Sequence, residues 1–160
     1  MPPPSREDRA TLVGRLYDAH GAAMYRYALM LLRRRAAAED AVQQVFTSVL
    51  RQSGAIENEA HYLRRAVRNE CYSAMRKDRH LVASDEPLLE LAAPGEVDVA
   101  QRMALEAALA ALPPEQREVV HLHIFEGMTF EETARVVDQP MNTVASRYRY
   151  ALGKLRAHLA

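Results

Sequence analysis

The sequence predicts an all-α protein of two small helical domains joined by an acidic linker, the C-terminal one a helix-turn-helix. Three observations carry this. Alanine, leucine, arginine and glutamate dominate the 160 residues, glycine is scarce at 6, and strand-like alternation is nowhere sustained. Charge is unevenly placed: residues 1–80 hold 14 Lys/Arg against 9 Asp/Glu, and residues 81–99 hold five acidic residues and no basic one. A net charge of zero therefore conceals blocks whose distribution matters more than their sum. Finally, Thr129 to Leu155 reads as a short helix, a tight turn and a second helix. The boundaries that follow are a domain at 1–80, a linker at 81–99 and a domain at 100–160. Units of that size bury only a modest core.

The elements are predicted as follows. Residues 1–5 form a Pro-rich tail, and a helix starts near Ser5 and ends near His20-Gly21. A second helix puts Met24, Tyr27, Ala28, Leu31 and Leu32 on one side and closes on Arg33-Arg34-Arg35, the charge favoured at a C-terminus. A third, about Ala37 to Gln52, has the cleanest period: Ala38, Ala41, Val42, Val45, Phe46, Val49 and Leu50 inside, with Glu39, Asp40, Gln43, Gln44 and Ser48 outside. Ser53-Gly54 break it, and a polar loop runs to about Glu59.

The fourth helix, about Ala60 to His80, buries Leu63, Ala66, Val67, Cys71 and Ala74. Arg65, Asn69, Tyr72, Arg76 and Arg79 recur at intervals of four, three, four and three, so they share the other face. Arginine binds phosphate, the amide can pair with a base edge, and tyrosine offers a stacking surface. A solvated arginine-rich face is the competing reading from the pattern alone.

Residues 81–99 carry two prolines and five acids, which argues against a packed helix throughout; the Leu88-Leu89-Glu90-Leu91 island is a candidate docking point. Helices resume over Val99 to Leu112, with Met103, Leu105, Ala108, Leu109 and Leu112 apolar. Pro114 suits the first turn of a helix running Glu115 to Phe125, and Gly127 stands where φ > 0 is needed. Thr129 and Glu132 fit a capping box. The short helix after them buries Ala134 and Val137 and ends near Asp138, with Pro140 preventing its continuation. The last helix begins near Asn142-Thr143 and buries Val144, Tyr148, Ala151, Leu152, Leu155 and Leu159. From Met141 onward there are four basic residues and no acidic one. A polar, basic helix behind a tight turn fits a major groove, as it would also fit a solvated helix pair.

Several classes are disfavoured. Cys71 is the lone cysteine, so no internal disulfide forms, a reducing compartment is expected, and burial is its expected role. The first residues, MPPPSRED, lack the apolar stretch of a signal peptide, no apolar run approaches membrane length, and the expected location is cytoplasmic. His121 and His123 stand two apart on a helix and do not chelate; no metal, cofactor or catalytic residue is expected.

Three stretches in the last third, Leu112 to Val120 (LPPEQREVV), Phe125 to Thr129 (FEGMT) and Thr143 to Arg147 (TVASR), resemble region 4 of bacterial sigma factors, above all the small two-domain extracytoplasmic-function (ECF) group of the sigma-70 family. That resemblance covers about Ala107 to Leu155. Ala38 to Phe46 (AEDAVQQVF) and Tyr62 to Asn69 (YLRRAVRN) resemble region 2 of the same family, over about Leu16 to Arg79. The resemblance implies a transcription initiation factor, not an enzyme, whose partners are core RNA polymerase, promoter DNA and an anti-sigma factor. It implies core binding on Asp40, Gln43, Gln44 and Phe46, with Phe46 shared between core and interface. It places recognition of the melted promoter element on Arg65, Arg68, Asn69, Tyr72, Ser73, Arg76 and Lys77; the loop 53–61, polar and just ahead of that helix, is the expected pocket for an unstacked base. Upstream duplex recognition falls on Thr143, Ser146, Arg147, Arg149, Tyr150 and Lys154. The linker, by the same resemblance, either threads a polymerase channel or serves as a plain tether. Two other readings remain at this stage: a stand-alone helix-turn-helix regulator, and a sigma-like module that binds only an anti-sigma partner.

The chain departs from the family at several positions. Asp138 stands in the helix-turn-helix turn where glycine is usual, and Asn142 stands before the Thr-Val pair where glycine or an acidic residue is usual; both tolerate a left-handed backbone. Ala145 and Tyr150 replace common basic residues, Tyr62 replaces a favoured tryptophan, and Ser73 a common aspartate.

Overall fold

Leu16, Gly21, Met24, Tyr27, Ala28 and Leu31 are all buried along one side of a single helix, α1 (Arg6–Leu32). The chain does not break at His20-Gly21, where the sequence predicts it. A mid-helix glycine costs about 1 kcal/mol, which the continuous buried stripe on either side outweighs. Gly21 also lies under the Tyr17 ring: a Cβ there would stand 3.3 Å from Tyr17 Cδ2. The structure, a computed structural model, describes residues 6–78 and 98–160. Arg79, the linker up to residue 97 and its leucine island lie outside the described residues. The chain divides into two compact units, Met1–Asp85 and Glu86–Ala160.

In the first unit, α1 packs on both α2 (Arg35–Arg51) and α3 (Glu59–Lys77), and these two pack on each other. The α1–α2 turn is made by Arg33, left-handed at φ 58, whose N–H donates to Leu29 O at 2.7 Å. That is a helix C-terminus closed without glycine. Inside lie Val42, Val45 and Val49 of α2 and Leu63, Val67 and Cys71 of α3. Leu50, expected in the α2 stripe, is 42% exposed, because it lies one helical step beyond the buried Val49.

The second unit holds α4 (Val99–Ala110), α5 (Pro114–Val120), α6 (Phe130–Val137) and α7 (Met141–Leu159). Ala108, Leu109 and Leu112 meet Val120, Ala151 and Leu155 in one apolar cluster, edged by Leu105 and Leu152. Met103 and Leu159, expected inside, are exposed. Pro114 takes the first turn of α5 as predicted. The helix predicted to run on to Phe125 instead widens to a π-helical turn over His121–Phe125. There Glu126 N–H reaches back five residues to His121 O at 3.0 Å, and Met128 N–H reaches Leu122 O at 3.0 Å across the left-handed Gly127 (φ 70). Among the described residues no strand occurs, and no helix is long and apolar enough to cross a membrane.

Candidate nucleic-acid interface

Three surfaces collect the predicted residues, two on the first unit and one on the second. On α2, Asp40, Gln43 and Gln44 are exposed while Phe46 is 7% exposed. Phe46 therefore packs inward rather than being shared with an interface, its ring meeting Tyr17 edge-on at 5.3 Å. What reaches solvent is Tyr17 itself, 58% exposed. It opens a groove of about 530 Å³ between α1 and α2, with Gln43, Glu39 and Tyr25 in its wall. Sequence reasoning missed Tyr17, because the predicted break at His20-Gly21 hid its place beside α2.

The second surface is a cleft of about 610 Å³ between the end of α2, the loop after it and α3. Arg65 and Asn69 line it together with His61 from the first turn of α3, and Gln52, Glu57 and Asn58 line it from the loop side. Asn58 caps α3, its Oδ1 accepting from His61 N at 3.3 Å. Tyr62 donates its hydroxyl to Gln52 Oε1 at 2.8 Å, and Gln52 Nε2 donates to Ser48 Oγ at 3.1 Å. Where the family favours tryptophan, Tyr62 thus adds a polar tie across the loop. Arg15 grips Glu59 with both guanidinium arms, at 2.8 and 3.2 Å. This hydrogen-bonded pairing holds the Glu59 carboxyl below its ordinary range.

Tyr72 and Arg76 continue the face of α3 beyond the cleft, with Arg76 and Lys77 exposed and Ser73 half-buried. The Tyr72 ring is not bare: Arg68 Cζ lies 4.4 Å from its centroid. The pair is a cation–π contact. The predicted melted-strand residues therefore divide into a cleft group, Arg65 and Asn69, and a ridge group, Arg68, Tyr72, Arg76 and Lys77.

The third surface is α7, aimed by a closely tied turn. Thr129 and Glu132 form the predicted capping box, at 3.0 and 3.2 Å. α6 buries Thr133, Val136 and Val137, while Ala134, expected inside, is half-buried. It ends on Asp138, left-handed at φ 53, as an aspartate can. Asn142 does not share that conformation; it belongs to the first turn of α7. Behind α7, three rings interlock. His123 stacks on Phe130 at 4.4 Å, and Tyr148 meets both edge-on at 4.9 and 5.2 Å. The π-helical turn brings His123 there, and its Nδ1 donates to Met128 O at 2.6 Å. Pro140 stands at the N-cap of α7 and supplies no side-chain cap.

Thr143, Ser146, Arg147, Tyr150 and Lys154 fall on one face of α7, while Arg149 is turned aside. Thr143, Ser146 and Arg147 are half-buried; Arg149, Tyr150 and Lys154 are exposed. Arg149 Cζ stands 5.6 Å from the Tyr150 ring centroid. His121 and His123 join no group of three or more His, Cys, Asp or Glu able to hold a metal among the described residues.

Residues 16–81 match the family model for sigma-70 region 2, and residues 102–155 match that for sigma-70 region 4. The ECF RNA polymerase sigma factor SigL of Mycobacterium tuberculosis is 32% identical over 159 residues, covering 94% of this chain and 90% of that protein. The RNA polymerase sigma factor CarQ of Myxococcus xanthus is 33% identical over 124 residues, covering 73% of this chain and 71% of CarQ. Among solved structures, the sigma factor RpoE bound to the anti-sigma factor NepR, from Bartonella quintana, superposes with a TM-score of 0.68 at 26% identity. It covers 86% of this chain and 89% of RpoE. The fold is also that of CnrH, solved with the cytosolic domain of CnrY, with a TM-score of 0.69 at 24% identity over 96% of this chain and 91% of CnrH. With region 2 on its first unit and region 4 on its second, the chain belongs to the sigma-70 family, in its ECF group.

Proposed function

We propose that the chain divides promoter recognition between its two units. Membership of the family makes it a promoter-directing transcription initiation factor, and the proposal concerns which residues do the work. Core polymerase docks on the outer face of α2 through Asp40, Gln43 and Gln44, with Tyr17 and its groove alongside. The melted element is read by α3: Arg65 and Asn69 in the cleft, Tyr72, Arg76, Arg68, Ser73 and Lys77 along the ridge. The loop 53–61 completes the cleft, where one unstacked base is held. The upstream duplex is read by α7, whose uncapped N-terminal turn offers N–H groups to phosphate. Thr143, Ser146, Arg147 and Tyr150 reach base edges, and Arg149 and Lys154 hold phosphates. Domains at 1–80 and 100–160, joined by the acidic linker 81–99, go with this division.

The single observation that carries the reading is the placement of the two basic, aromatic faces. Each lies on its own unit, and each falls inside the family region that corresponds to its task. Polymerase supplies the chemistry, so the chain itself catalyses nothing. It works in the cytoplasm, where polymerase and chromosome are. Because the Bartonella quintana neighbour is solved with an anti-sigma factor, an anti-sigma factor is proposed as the regulator here.

The test is capture of core polymerase by the full chain, followed by run-off transcription. Capture together with promoter-dependent transcripts supports the reading. Duplex binding without core capture supports a stand-alone regulator. Capture of an anti-sigma partner with neither core nor DNA binding reduces the chain to an interaction module.

A further inference from the structure

The loop between α2 and α3 is exposed over Gln52 to Ala55 and again at Glu57 and Asn58, yet it is held at both ends from one place. Arg9, in the second turn of α1, is 4% exposed. Its Nε donates to Val49 O at 2.8 Å and its Nη1 to Gly54 O at 2.7 Å. A guanidinium buried this deeply is tolerated only when its donors are matched. Here Nε and Nη1 are matched by main-chain carbonyls on either side of the point where α2 ends. Gly54 has φ 107, and a Cβ there would meet nothing within 4 Å. The position thus needs glycine for its backbone rather than for space. At the loop's other end, Arg15 grips Glu59, the first residue of α3, beside the capping Asn58. An exposed ion pair of this kind contributes little stability, but its two-armed form fixes position. Both arginines stand ahead of residues 16–81, the span that matches region 2, while Val49, Gly54 and Glu59, which they grip, lie inside it.

We propose that Arg9 and Arg15 are positioning residues for promoter selection: the leading turns of α1 brace the loop 52–58 at the spacing at which the cleft admits one unstacked base. The proposal rests on the reading of that cleft given above. It assigns the brace a role in which base is preferred at one position of the melted element. A purely structural tie would instead affect all positions alike.

The experiment uses the full chain with core polymerase on a panel of promoters in which each position of the melted element is varied singly. Four variants are compared with the parent: Arg9→Lys, which keeps the charge but loses the two-armed fork; Arg15→Gln; the exchange Arg15→Glu with Glu59→Arg; and His61→Ala, which alters the cleft wall directly. The brace requires that Arg9→Lys and Arg15→Gln each lower base discrimination about tenfold at one position, near the low end of what one mismatched base costs. Discrimination at other positions and affinity for core stay unchanged, and the exchange restores the parent's preference. Even loss at every position overturns the proposal. So does unchanged discrimination in Arg15→Gln, the exposed variant whose folding is not at risk. If His61→Ala shifts the preference while the arginine variants do not, the brace is wrong and the cleft reading survives. If His61→Ala also leaves the preference untouched, the cleft reading fails and the brace with it.

Discussion

α3 and α7 are built from the same kinds of residue and offer opposite surfaces. Each carries arginine, a small polar side chain and a tyrosine on one face. The face of α3 turns into a cleft whose wall includes Glu57 and Glu70, and its tyrosine already bears an arginine. The face of α7 is an open ridge: no acidic residue follows Met141, and Arg149, Tyr150 and Lys154 are exposed. A cleft with carboxylates repels a duplex and its two phosphate backbones, but accepts a single base that leaves its phosphates outside. A purely basic ridge suits the major groove and its flanking phosphates. Residue type alone therefore does not separate single-strand from duplex recognition; the shape behind the face and the sign of its rim do.

The largest effect tests whether the two faces rest on separate cores. Leu122 is fully buried behind the helix-turn-helix, and Leu122→Ala is expected to cost about 2–5 kcal/mol, a large share of what a small unit can spare. Duplex binding by the full chain should collapse while capture of core polymerase persists. Thermal melting should show one early and one unshifted transition. A single early transition, with both activities lost together, would mean that the two faces do not rest on separate cores.

Next is stacking on α3. Tyr72→Ala should cost about 1–3 kcal/mol in the binding of melted strand and leave affinity for upstream duplex unchanged. Fluorescence of a base analogue placed in the melted element reports this directly. If opening is normal, the Tyr72 ring is not used by DNA, and the melted strand must be held by the cleft alone.

Arg147 sharpens the other side. It is half-buried near the start of α7 and is the best placed arginine for a two-armed contact with guanine. Arg147→Ala should relax sequence preference by about 1 kcal/mol, the low end for such a contact. Selection from a duplex library is the measurement. A uniform loss of affinity with preference intact would make Arg147 a phosphate anchor and move base reading to Thr143, Ser146 or Tyr150.

What could be read in the chain beforehand was what is local in it. Thr129 and Glu132, three residues apart, announce their capping box, Pro114 announces the first turn of a helix, and Gly127 and Asp138 announce a left-handed backbone that few residues accept. The face of α3 follows from spacing alone. What stayed hidden depends on distant partners. Gly21 reads as a break until the Tyr17 ring and the buried stripe on both sides are seen to carry the helix through. Phe46 shows the right period for either role, and only its contact with Tyr17 decides that it faces inward. The π-helical turn serves His123, whose partners Phe130 and Tyr148 lie 7 and 25 residues on. The brace is the extreme case. Arg9 and Arg15 grip atoms 40 to 45 residues away, and in sequence they are two arginines among many.

The smallest effect concerns Lys154, and it separates affinity from reading on α7. Its side chain is exposed about two turns beyond Ser146 and Arg147, too far along the helix to reach the base edges that the proposed reading gives to the N-terminal end. A lysine there acts as a point charge against phosphate. Removing it releases one fewer counterion on binding, so Lys154→Ala should lessen the slope of log affinity against log salt by about 0.9. Sequence preference should stay as it was, because a phosphate contact carries no base information. The loss should be visible at low salt and should vanish as salt screens the contact. The measurement is binding of the full chain to preferred and scrambled duplexes at two salt concentrations. If affinity falls for the preferred duplex only, Lys154 touches a base, and α7 lies deeper along the groove than its uncapped N-terminal turn implies.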